Sequence, residues 1–318
     1  MHTFWKVVRA LGCFAAFAVA GCAGGGVAPV SSTAQSETPG FVPGGPGWIY
    51  AGGVLYHRPH YAVARGMASA VTPIFVYVPY EGGPVIVDPK FYFTFWGYKK
   101  IGDPDKVEPL LVEYAKSMGG SPHNNIETQY YQGSSGSPTY ITNPAQQFGG
   151  SWDDSAAIPK KPTDLQVAAE SLRAVSHFGY DPNGVYVVAT AHDHSEAGFG
   201  PKWCSYHSLT ADEKKPVVYA NLPYMPDAGT QCGANILKKH PSGESAIDEG
   251  VTILGGHEFG ESITDPQAYS DSAWIGPSGE IGDECAWHGI ANEKFGTKSY
   301  TMQPMASDAT ESCVQSYP

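Results

Sequence analysis

The sequence predicts an α/β fold, a sheet flanked by helices, and three observations support it. Short β-branched and aromatic runs recur along the chain and read as strands. Between them lie stretches whose apolar residues step by three and four, the period of a helix packed on a core. After Asp265 the chain turns loop-rich, with Gly, Pro and Trp in close succession.

Residues 73–79 and 91–95 are the first predicted strands. Residues 105–118 carry Val107, Leu110, Leu111, Tyr114 and Met118 on one helical stripe. The segments 126–131 and 139–141 read as strands joined through a Gly/Ser turn. A second helix is expected over 163–178, with Thr163 as N-cap and a stripe of Leu165, Ala168, Leu172 and Val175. Residues 184–190, centred on Val185-Tyr186-Val187-Val188, are the clearest buried strand, and 217–222 form another. A third helix is expected from 245 to 263.

The first 21 residues read as a targeting segment rather than part of the fold. Lys6 and Arg9 precede an apolar run from Leu11 to Ala20, the pattern of a secretory signal. That run is shorter than the roughly 20 apolar residues a membrane span needs. The sequence Ala-Val-Ala-Gly-Cys at 18–22 resembles a bacterial lipobox, which makes Cys22 the expected lipidation site and a lipid anchor the expected link to a membrane. Residues 22–47, rich in Gly, Ser, Pro and Thr, are expected to be a flexible tether, leaving 48–318 as a single domain. The expected location is therefore the cell envelope or the exterior.

The formal charge of −12 falls to −12 − 2 = −14 when Lys6 and Arg9 are removed. An acidic chain without a Lys/Arg cluster is a poor partner for nucleic acid. With Cys13 and Cys22 set aside, four cysteines remain, an even count that implies disulfides in an exported chain. Three connectivities are possible, and Cys204–Cys232 with Cys285–Cys313 is the expected one.

On the third helix Ile247, Val251 and Leu254 mark a core-facing stripe, and the same stepping continues to Glu258 and Glu261, with His257 beside them. Buried carboxylates need a metal, a cation or a proton, because a lone buried charge is costly. His257 and Glu261, four apart, lie on one helical face and can hold one ion, while Glu258 is placed to take a proton from water. The pattern resembles the zincin HExxH helix with its second histidine replaced by glutamate. A third ligand is expected from the Gly-rich segment 279–285, as Glu280 or Asp283; Asp265, beside Pro266, reads as a residue that turns the chain. Gly255, Gly256 and Gly260 weaken a helix and point to close approach of a neighbouring strand or a substrate backbone.

The run Gly-Gly-His-Glu-Phe-Gly-Glu-Ser-Ile-Thr-Asp-Pro at 255–266, followed by Glu280-Ile281-Gly282-Asp283 and Cys285, resembles the EXORDIUM or phosphate-induced protein family. Val185 to Thr190, then Trp203-Cys204-Ser205-Tyr206-His207, then Tyr224 and Cys232, fit its upstream segments. The resemblance covers roughly 85–317 and is strongest over 250–285. It implies an extracellular setting and a link to growth or cell-wall processes, and supplies no reaction. It also implies a paired terminal cysteine, in favour of Cys285–Cys313, and a functional role for His207 as a ligand or oxyanion stabiliser. Plant members tend to carry asparagine at Asp265, which weakens it as a ligand, and lack counterparts of His192 and His194.

Two functions follow as expectations. One is a zinc-dependent hydrolase, most simply a peptidase acting on a peptide or cell-envelope substrate, with His257, Glu261 and Glu280 or Asp283 holding zinc or another divalent cation. There Glu258 is the general base and His207 assists. The other is a non-catalytic surface protein with a structural metal or buried charge network. Glu261 in place of histidine makes the site harder and more anionic, which favours binding over catalysis. His192 and His194 can form a separate pair if the strand before them continues. His288 and Tyr300 are weaker oxyanion candidates, and Trp274, Trp287, Tyr219 and Tyr224 read as core or cleft wall.

Overall fold

Phe91, Phe93 and Phe95 are buried in one hydrophobic cluster, while Tyr92 and Trp96 pack into a second. This alternation is the two-residue period of a strand covered on both faces. The computed structural model describes residues 47–69, 75–212, 215–239 and 244–318. The expected signal segment, Cys22 and all but Gly47 of the tether lie outside the described residues.

The strands are β1 (Trp48–Ala51), β2 (Val54–His57), β3 (His60–Val63), β4 (Lys90–Trp96), β5 (Tyr131–Gln132), β6 (Thr139–Tyr140) and β7 (Phe148–Asp154). There follow β8 (Gly184–Thr190), β9 (Trp203–Asp212), β10 (Lys215–Leu222), β11 (Ala291–Phe295), β12 (Lys298–Met302), β13 (Met305–Ser307) and β14 (Ser312–Val314). The α-helices are α1 (Tyr98–Ile101), α2 (Val107–Met118), α3 (Asp164–Phe178) and α4 (Glu249–Thr264). A mixed eight-stranded sheet runs β1-β2-β9-β10-β8-β4-β7, with β3 also paired to β9. Its strands β7, β4, β8 and β10 are parallel; β9 is antiparallel to β10, and β2 and β3 are antiparallel to β9.

Helix α3 covers one face through Val167, Ala168, Ala174 and Val175, opposite Tyr186, Val188, Tyr206 and Tyr219. Thr163 and Gln166 close its first turn as a capping box. Helices α2 and α4 cover the other face, where Phe91, Phe93, Val187 and Leu209 meet Leu111, Tyr114, Leu254 and Phe259. Among the described residues Cys204–Cys232 and Cys285–Cys313 are disulfide-bonded, the connectivity expected from sequence. Among the described residues no helix is long and apolar enough to cross a membrane.

Several local expectations change. Residues 75–79 form no strand: only Tyr80 bridges Trp274, and Val76 hydrogen-bonds to Glu311 instead. The apolar run 126–131 is a 3-10 turn over Ile126–Gln129 before β5, and β6 holds two residues. Helix α4 starts at Glu249, and Ile247 before it is 43% exposed rather than part of a core stripe. All of α4 is buried, because the sheet lies on one side and α2, β12 and β13 on the other. The segment after Asp265 is less loop-like than its composition suggests, since β11–β12 and β13–β14 are antiparallel hairpins.

Candidate metal centre

Three elements bring the site together. The last two turns of α4 supply His257, Glu258 and Glu261, all 3% exposed or less. Strand β9 supplies His207 on the face that carries Leu209, and β3 sets His60 beside it in register. The segment 280–283 supplies Glu280 and Asp283, latched to α4 because Gly282 N–H and Asp283 N–H donate to Glu261 Oε1 at 3.1 and 3.0 Å. It is also tied to β13 by the bond from Ala306 N–H to Ile281 O and to β14 by Cys285–Cys313.

His257 Nε2 lies 3.2 Å from Glu261 Oε1 and 3.6 Å from Asp283 Oδ1. On its other side Gln303 Nε2 is 3.1 Å from His257 Nδ1 and donates to Gly282 O at 2.8 Å, so the ring is held from behind. His207 Nδ1 is 3.4 Å from Glu258 Oε2 and 3.8 Å from Glu261 Oε2; its Nε2 is 3.4 Å from Glu280 Oε1 and donates to the Asp265 carbonyl. His60 Nδ1 is 3.5 Å from Asp283 Oδ2. The ligand atoms form three triads, each within 4.8 Å: His257, Glu261 and Asp283; His207, Glu261 and Glu280; and His60, Glu280 and Asp283.

The electrostatics are those of crowded anions. Burial alone would lower His257, but the Glu261 carboxylate outweighs it and raises the imidazole to about 10. Burial likewise opposes, and Glu258 then Glu261 overcome, so that His207 is raised. Glu261 would rise by burial but is held below its ordinary value by His257 and then His207. Burial, then Glu261 and its neighbours, push Glu280 well above the carboxylate range and Asp283 up to about 8. Burial carries Asp265 up to about 7, and lowers His60. With His60 neutral and Glu258, Glu261, Asp265, Glu280 and Asp283 all ionised, the cluster would carry −5 + 2 = −3. Protons taken up by the carboxylates relieve that charge, and a divalent cation would do so in their place. Glu280 makes the need plain: it is fully buried, and among the described residues neither oxygen accepts a hydrogen bond.

The chain is similar to a plant protein. That relative, Protein EXORDIUM-like 5 of Arabidopsis thaliana, is 28% identical over 143 residues, 39% of this chain and 38% of the relative's length. The similarity supports the link to the EXORDIUM family and, spanning well under half of either chain, establishes no reaction. No family model matches the chain, and no solved structure matches it.

The structure brings together His257, Glu258, Glu261, His207, Glu280 and Asp283. Both third-ligand candidates converge on the centre, in different triads. Asp265 stands outside the triads: its Oδ1 accepts Ala273 N–H and its carbonyl orients His207. Gly282 explains the close approach of the loop, since a Cβ there would lie 2.8 Å from Glu261 Oε1 and from His257 Nδ1. Gly256 and Gly260 meet neighbouring strands: a Cβ at Gly256 would run into Met302 of β12, and one at Gly260 would lie 2.5 Å from Met305 of β13. Strand β8 ends at Thr190, and Asp193 has φ 61°, so His192 and His194 sit in a turn; His192 pairs with Asp227. Tyr300 packs on Tyr114 and Phe295 and accepts from Ser117, away from the centre. Tyr219, Tyr224 and Trp274 are core. His288 lines a cleft of about 280 Å³ with His60 and Asp283. His60 and Gln303 were not legible in the sequence, because neither stands in a recurring spacing with the helix motif.

Proposed function

We propose that the buried centre holds a divalent cation, zinc by the match of imidazole and carboxylate donors, and that the chain is a zincin-like metal-dependent hydrolase acting on an amide bond in a peptide or cell-envelope substrate. The observation that carries the reading is Glu280, a fully buried carboxylate with no hydrogen bond to either oxygen, facing His207 across a cluster of like charges. A bound cation supplies Lewis-acid polarisation of the scissile carbonyl. His257, Glu261 and Asp283 would hold it. Glu258 belongs to none of the triads, and its Oε1 accepts no hydrogen bond among the described residues, which leaves that oxygen to take the proton of an attacking water. His207, whose Nδ1 faces Glu258 Oε2, orients that carboxylate. Substrate approaches through the cleft that His60 and Asp283 share.

A second reading, a structural metal in a non-catalytic surface protein, is favoured by the depth of the centre, where Glu258, Glu261, His207 and His257 are each 3% exposed or less. The Glu258→Gln variant separates the two. Full metal content with peptide cleavage reduced by roughly 10²–10⁴-fold supports the hydrolase; cleavage equal to wild type removes Glu258 as base, and no stoichiometric metal in wild type removes the metal reading. Export with a lipid anchor at Cys22 belongs to the same proposal, supported by the signal-like segment and the two disulfides. Mass measurement of the mature N-terminus from cells tests it, an unacylated Cys22 being the contrary result.

A further inference from the structure

We infer that the centre takes two divalent cations rather than one, bridged by the carboxylate of Glu261. The inference rests on the reading of this centre as a metal site. The first cation would be held by His257, Glu261 and Asp283, the second by His207, Glu261 and Glu280.

Three observations lead there. The six side chains of the centre do not converge on one point; they divide into three overlapping triads, each histidine sharing two carboxylates and each carboxylate shared by two histidines. A zinc ion takes about four ligands at roughly 2 Å, so six donors spread in this way exceed one ion's shell. The oxygens of Glu261 diverge, Oε1 lying 3.2 Å from His257 Nε2 and Oε2 lying 3.8 Å from His207 Nδ1. That is the arrangement a carboxylate needs to give one oxygen to each of two ions about 3.5–4 Å apart. Finally, one cation at the first triad leaves Glu280 stranded: it is not a member of that triad, is fully buried, and receives no hydrogen bond among the described residues. A second cation beside His207 satisfies it. His60, the exposed histidine of the third triad, shares Glu280 and Asp283 with the pair and forms its solvent-facing rim.

Such a pair would clamp a hydrolysed bond from two sides; with Nε2 of His207 donating to the Asp265 carbonyl, its Nδ1, 3.4 Å from Glu258 Oε2, would turn from that carboxylate to the second ion and leave Glu258 beside it. The test is stoichiometry. Untagged mature chain is stripped with chelator, loaded with Zn²⁺, freed of excess ion, and its metal and protein are counted. Two equivalents are expected in wild type and one in His207→Ala, which leaves the first triad whole. Wild type loaded with Mn²⁺ should also show an exchange-coupled electron paramagnetic resonance signal, a readout that needs no variant. One equivalent in wild type, an uncoupled Mn²⁺ signal, or a folded His207→Ala that keeps the wild-type count overturns the pair while leaving a one-metal hydrolase intact. No bound metal at all overturns both readings.

Discussion

Replacing Gly282 with alanine is the sharpest probe of how the centre is assembled. The backbone there, φ −81° and ψ −42°, accepts alanine without strain, so any cost comes from the methyl group. That methyl would sit 2.8 Å from both Glu261 Oε1 and His257 Nδ1. Neither neighbour can yield freely. Glu261 Oε1 accepts the N–H groups of Gly282 and Asp283, and His257 is backed by Gln303. Overpacking of this kind costs about 1–3 kcal/mol, against which the stiffer unfolded chain returns about 0.4–1 kcal/mol. The net loss of roughly 1–2 kcal/mol corresponds to a fall in Tm of about 2–8 °C for a domain of this size. If the centre holds the proposed cation, its affinity should drop further, by about 10–100-fold, because the displaced groups would be the proposed ligand His257 and its carboxylate partner Glu261. Calorimetric melting with and without cation, together with a binding titration, measures both. An alanine variant that melts and binds like wild type would refute the packing of loop 280–283 on α4.

Other outcomes follow from the same geometry. In chelator, Asp283 at about 8 and Asp265 at about 7 hold protons more tightly folded than unfolded, as does His257 at about 10. Their contribution is full below the unfolded aspartate value of 3.8 and is lost as pH rises through the folded values, so the Tm of the stripped protein should fall from about pH 4 to about pH 10. A cation bound as proposed would replace those protons, so the loaded protein should lack this slope and release more than one proton per ion bound at neutral pH; parallel melting profiles would contradict this. Each disulfide closes a separation of 28 residues, so removing either should cost a similar ~3–4 kcal/mol. The paired Cys285→Ser/Cys313→Ser variant should lose more cation affinity than Cys204→Ser/Cys232→Ser, since the former frees the segment that carries Glu280 and Asp283. Equal affinities in the two variants would show that α4 alone sets the site.

The sequence by itself determined the periodic parts of this protein. β8 and α3 match their residue patterns closely, because a strand buried on both faces and an amphipathic helix with Thr163 at its N-cap each write their environment into local composition. The HExxE spacing likewise placed His257 and Glu261 on one helical face with no knowledge of neighbours. Short edge strands such as β1–β3 and the Gly-rich β7 escaped, since their pairing comes from partners rather than from their own residues. Tertiary structure alone decided how the acidic centre closes. His60 and His207 are 147 residues apart yet adjacent across β3 and β9, and Glu280 and Asp283 reach α4 only because Gly282 lets their loop lie against it. The His257-Glu258-Phe259-Gly260-Glu261 segment could state which groups face one way. Strand register and loop packing, which depend on distant residues, decided that those groups meet enough buried negative charge to call for a cation.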